Sequence, residues 1–136
     1  MPLSRSPMRR SYRPTGPTSD VVEAVLIRSC RDGEPCCEVC GSRVFGERGT
    51  DFALHHRKGR GLPDSHTPQN LILVHGASNV DGCHGRIHGS RADAQALGWS
   101  VSRNTRLDPL KVAILIGGER WVYLTAAGEY ADDPEV

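Results

Sequence analysis

The chemistry available to this 136-residue chain lies in six histidines and five cysteines. His84 and His88 stand four residues apart in "CHGRIH". On a helix that spacing puts both imidazoles on one face, at a separation suited to chelating a metal. His55 and His56 are adjacent at the end of "DFALHH". Side chains alternate along a strand, so these two must point to opposite sides. One can then ligate a metal while its neighbour faces something else, such as a water. Histidine suits that second task, because its ordinary pKa of about 6.5 lets it take up a proton near neutrality.

The cysteines form a second constellation. Cys37-Glu-Val-Cys40, a tight turn, is half of a structural zinc site. Thiol redox competes as a reading, but Gly41 and the lack of a thioredoxin-like βαβ pattern disfavour it. The other half must lie near a second strand and the start of the following helix, where Cys83 is the third ligand. An odd number of cysteines, with no apolar leader behind the basic N-terminus, argues for metal ligands over disulfides and for a cytoplasmic protein. The longest apolar runs, "LILV" and "VAILI", are too short to span a bilayer, so no membrane partner is expected.

The elements that must position these groups read as α+β. Residues 1–18, rich in Pro, Arg and Ser, read as a basic disordered arm. A helix is predicted from about Asp20 to Arg31, with Asp20 and Glu23 at capping-box spacing and Gly33 as its stop. "DFALHHR" and "NLILVHG" read as strands joined by the loop "KGRGLPDSHTPQ". Asn70 opens the second strand, where its amide can bond across that loop and hold the hairpin in register. "CHGRIHG" starts a helix broken near Gly89 or Ser90, and "SRADAQALG" is a helical turn with Ser90 as N-cap and Gly98 as stop. "WSVSR", "KVAILI" and "RWVYLT" read as short strands, the last two turning at Gly117-Gly118, before an acidic tail.

The order "HH" at 55–56, "N" at 70 and "HxxxH" at 84–88, with a Cys-x-x-Cys before it, resembles the HNH endonucleases, the ββα-metal nucleases. The likeness covers residues 37–88 most specifically and extends loosely to "ADAQALGWSV", as in small phage-type members. The His-His opening is similar to that of the nuclease colicins. The resemblance implies a nuclease domain over 19–104, with 105–136 supplying C-terminal short strands and the acidic tail. It implies that His55, His84 and His88 hold one catalytic divalent ion, that His56 is the general base, and that Asn70 fixes the backbone near it. Three imidazoles suit zinc or nickel better than magnesium, although family members usually work with magnesium, manganese or nickel. Phage members often carry a cysteine after the second strand where this chain has His75, so Cys37, Cys40, His75 and Cys83 become the structural zinc set, with Cys36 or Cys30 as alternatives for the fourth place.

Charge adds a partner. From Gly41 to Arg106 nine bases face five acids, an excess of four in a chain of net charge +1. A basic middle suits a polyanion such as DNA. In the family the loop after the general base lies near substrate, so Arg57, Lys58 and Arg60, with Arg86 between the helix ligands, are the implied phosphate contacts. Phage proteins of this type act beside the terminase in genome packaging, which makes a terminase a further implied partner. The competing reading is a non-catalytic, zinc-stabilised nucleic-acid-binding module.

Overall fold

A computed structural model describes residues 16–59, 62, 64–78 and 80–135. Residues 1–15 of the expected arm, and Arg60 among the expected phosphate contacts, lie outside the described residues. The described chain is a small mixed α+β structure with three small antiparallel sheets. Among its helices none is long and apolar enough to cross a membrane.

Helix α1 spans Ser19–Arg28, shorter than the expected Asp20–Arg31. Thr18 is its N-cap instead of Asp20, its hydroxyl accepting from the Val21 N–H. The helix stops early because Cys30–Arg31 (β1) pairs with Glu34–Pro35 (β2). Asp32 and Gly33 both take positive φ, +53° and +81°, and so make the hairpin turn that an Asp-Gly pair favours.

The central hairpin is Phe52–His56 (β3) against Leu71–His75 (β4), with a 3₁₀ turn at Pro68–Asn70 leading into β4. Leu71, Ile72, Leu73 and Val74 are all fully buried. A strand buried on both faces explains the unbroken apolar run "LILV" in place of an alternating one. Helix α1 and the next helix, α2 (Gly82–Gly89), both pack against β4. Helix α2 could not stand alone. It has eight residues and three glycines, each interior one costing about 1 kcal/mol against alanine. Burial of Cys83 and Ile87, one turn apart, anchors it to the core.

Helix α3 (Arg91–Ala96) follows a break at Ser90. Ser90 occupies the N-cap position, but its hydroxyl bonds the Asp93 carboxylate and not a backbone N–H. The expected strand at "WSVSR" is absent. Val101 makes only an isolated bridge to Lys58, because Trp99 and Val101 turn inward as buried anchors of an irregular segment. Ile114–Ile116 (β5) and Arg120–Leu124 (β6) form the expected hairpin around Gly117 and Gly118, both at positive φ. The tail is not merely acidic: Tyr130–Ala131 (β7) adds a third strand to that sheet. Ile114, Val122 and Leu124 share one core with Val25, Leu71 and Trp99, so the C-terminal sheet packs on the same centre as the hairpin.

Candidate metal centres

Among the described residues two groups of potential metal ligands gather around the β3–β4–α2 unit. The first is Cys37, Cys40, His75 and Cys83, whose ligand atoms all lie within 4.8 Å of one another. The Cys37–Cys40 knuckle is shaped by its backbone. The Gly41 N–H returns to the Cys37 carbonyl at 2.8 Å, with Gly41 at φ +83°. The Glu38 N–H then bonds the Leu73 carbonyl at 2.7 Å, docking the knuckle on β4. His75, at the end of β4, brings Nδ1 to 3.6 Å from Cys40 Sγ. Cys83 enters from the first turn of α2. Gly82 makes this approach possible: a Cβ there would lie 2.6 Å from the His75 ring.

The donor chemistry fits a cation such as zinc. Cys37 and Cys83 are buried, and burial pushes both thiols above their ordinary range, reinforced at Cys83 by neighbouring Cys37. At Cys40 burial acts the same way, but bonding by Ser42 and the neighbouring thiols outweighs it and the thiol falls. Three thiols crowded together resist ionising one another, and a bound divalent cation removes that conflict by taking them as thiolates. The set would supply a closed tetrahedral Cys₃His shell. Cys30 and Cys36 are not in it. Their sulfurs bond backbone carbonyls of Leu26 and Glu34 instead.

Glu38, between the two knuckle cysteines, turns away from them. It pairs with Arg28 through two bonds of 2.8 Å and accepts from the Leu73 N–H and the Tyr130 hydroxyl. Arg28 also donates to the Pro68 and Leu71 carbonyls. This buried cluster ties α1, the knuckle, β4 and β7 together. The helical period places Arg28 on the buried face, but no sequence signal names Glu38 as its partner.

The second group is His55, His84 and His88, with ligand atoms again within 4.8 Å of one another. Their rings form a near-equilateral triangle, with centroids 5.5, 5.4 and 4.9 Å apart. His55 is buried, and its Nε2 lies 3.1 Å from the Trp99 carbonyl. A carbonyl only accepts, so Nε2 carries the hydrogen and Nδ1 keeps the lone pair a metal needs. Burial, then the neighbouring charges of His84 and His88, lower the His55 pKa to about 3, so the ring is neutral at physiological pH. Burial, with His84 and Arg91 nearby, lowers His88 as well. His84 Nδ1 is buried without a hydrogen-bond partner among the described residues. An orphaned buried ring nitrogen beside two other imidazoles fits a cation ligand.

The two groups are separated by the geometry of their elements. His75 pairs with Phe52 at one end of the hairpin, and His55 pairs with Ile72 three residues along, about 10 Å at the usual strand rise. On α2, Cys83 and Ile87 share the buried face while His84 and His88 share the next one.

His56 points the other way from His55 and contacts His66, with His56 Nε2 to His66 Nδ1 at 3.0 Å. His66 has no place in any periodic pattern and escapes a reading by motif. Asn70 brings it in. The buried Asn70 amide accepts from the Lys58 N–H at 2.8 Å and donates to the Lys58 carbonyl at 2.9 Å and the Ser65 carbonyl at 3.0 Å. One side chain thus pins both the backbone just after His56 and the loop just before His66. His55, His56, His84 and His88 line one open groove of about 650 Å³.

The expected phosphate contacts divide. Arg57 is 2 % exposed, and its guanidinium donates to the carbonyls of Gly98, Gln69, Pro109 and Val112. Burial lowers its pKa to about 9, still above neutrality, so it stays a charged core clamp and cannot reach a phosphate. The alternation that sends His56 outward sends Arg57 in, so the sequence neighbour of His56 faces the core. The Lys58 ammonium is tied to the Thr105 and Leu107 carbonyls. Arg86 is exposed and stacks on Trp99, its guanidinium carbon 5.1 Å from the ring centroid. It lines a groove with Asp93 that shares no residue with the histidine groove. No protein-family model, curated protein or solved structure matches the chain at a significant level.

Proposed function

We propose that this protein is a metal-dependent DNA endonuclease of the HNH type, with the Cys37, Cys40, His75 and Cys83 set holding a structural zinc. The observation that carries the reading is the convergence of His55, His84 and His88 in the same groove that His56 lines. Three protein ligands leave positions open on a divalent ion, as a catalytic site requires. When bound, that ion supplies Lewis-acid stabilisation of the charge that develops on a phosphodiester and its departing 3′ oxygen. Imidazole ligands favour zinc or nickel over magnesium, with manganese also able to serve.

The chain's own residues supply the rest. His56 accepts the proton of a water as that water attacks phosphorus in line with the 3′ oxygen. His66 fixes the His56 ring through their shared bond. Asn70 keeps both histidines in place through the Lys58 and Ser65 backbones. A general base contributes roughly 10²–10⁴-fold to rate. The resemblance to phage-type members extends the proposal to a role beside a terminase.

The test is plasmid nicking by wild type and His56→Ala, with magnesium, manganese, nickel or zinc added in turn. Wild type should cut about 10²–10⁴-fold faster than His56→Ala with at least one ion. Equal rates in every condition would sink the nuclease reading and leave a zinc-stabilised binding module.

A further inference from the structure

The histidine groove continues into a second one of about 240 Å³, and the two share His55, His56, Gly59 and His88. Among the described residues no carboxylate lines either groove. That is unusual for a chain with 16 acids against 17 bases. The cations there are specific. Arg48 lines the first groove, and Arg91 and Arg103 line the second. All three are exposed, and among the described residues none takes part in an ion pair. Arg91 lines the second groove beside His88. Arg103 lies over the backbone of Gly59, where a Cβ would meet its guanidinium at 3.3 Å.

Resting on the nuclease reading, we propose that Arg48, Arg91 and Arg103 are the track for the DNA backbone. Arg48 holds phosphates on one side of the histidine centre, and Arg91 with Arg103 holds them on the other. A trough with exposed guanidiniums and, among the described residues, no carboxylate in its lining attracts a linear polyanion, and binding releases counterions. Arginine suits the task through its planar fork of donors.

The experiment measures anisotropy of a short fluorescein-labelled DNA duplex with the full chain carrying His56→Ala, which prevents cutting. His56→Gln serves if the alanine variant does not fold. Arg48→Gln, Arg91→Gln and Arg103→Gln are added singly, and salt runs from about 50 to 200 mM. Each should weaken binding about three- to tenfold and lower the slope of log affinity against log salt by about 0.9. Arg43→Gln, which removes a guanidinium paired with Glu34, and Arg120→Gln, beside Tyr130, should change neither. Unchanged slopes for the three, equal losses for the two controls, or no binding at the lowest salt would each overturn the track. Nicking by wild type is scored separately. Cutting with unchanged slopes removes the track and keeps the nuclease, while altered slopes without cutting keep the track as a binding surface and remove the nuclease.

Discussion

The two ligand clusters draw on the same helix and hairpin, yet they are built to opposite specifications. The cysteine cluster offers four donors, three of them thiols, with Cys37 and Cys83 buried. The histidine cluster offers three imidazoles graded outward, from buried His55 through half-buried His84 to exposed His88. Four donors close a tetrahedral shell and leave nothing for substrate, whereas three leave room for it. The contrast teaches that adjacent residues can face separate ligand clusters when the helical step of about 100° per residue divides their faces. Cys83 looks into the core, and His84 looks into the groove.

The largest effect should come from the closed site. Cys37→Ser or Cys83→Ser removes a ligand from a cluster whose zinc, if bound as in small zinc modules, contributes on the order of 10 kcal/mol to folding. That exceeds the stability of many whole domains. Both variants should lose zinc and most of their circular dichroism signal. At the open site His88→Ala should keep the fold, because His88 is exposed, and should abolish nicking. Metal analysis completes the contrast: two ions per chain in wild type loaded with excess metal, one in His88→Ala, none in Cys37→Ser. An unfolded His88→Ala, or a folded Cys37→Ser that keeps its zinc, would break the division between the sites.

How much of this was legible beforehand depended on the range of the signal. The pairs at fixed short spacing, Cys37 with Cys40 and His84 with His88, were readable because a turn and a helix translate spacing into geometry. Cys83 came from its place at a helix start, and His75 only from the family resemblance, which expects a ligand after the second strand; the structure brings both together with the Cys37–Cys40 knuckle. Arg57 was misread because its neighbours "RKGRG" suggest a solvated loop, while its carbonyl partners lie 12 to 55 residues away. The turn at Asp32-Gly33 was readable but was assigned to the end of a helix. Strand β7 and the Glu38 cluster depend on contacts between distant segments, and Tyr130 reaches Glu38 across 92 residues.

Glu38 sharpens the comparison from the structural side. It sits between the two knuckle cysteines and yet turns away from both ligand clusters, so its loss should separate fold stability from ligation. Glu38→Ala leaves the Arg28 guanidinium buried without its carboxylate, which costs about 3–5 kcal/mol. Chemical denaturation should show that loss while folded protein at low temperature still carries zinc at the cysteine cluster. A simultaneous loss of zinc and of stability would mean that the knuckle has no shape without the Arg28 pair. The site would then be a product of the core and not one of its supports.

The smallest effect expected is at His66, and it probes how finely the open site is built. His66 touches no ligand atom of the three-histidine cluster and holds His56 through one bond. Removing one neutral hydrogen bond costs about 1 kcal/mol. In transition-state terms that is about a fivefold loss of rate. His66→Ala should therefore lower kcat by about five- to tenfold while KM for DNA and the melting temperature stay near wild type. His66→Asn, which can set an amide oxygen near the lost Nδ1, should recover part of kcat. A rise in KM with kcat unchanged would instead assign His66 to the phosphate track with Arg48, Arg91 and Arg103. The histidine pair would then belong to the binding surface, with Asn70 pinning the backbone beside it.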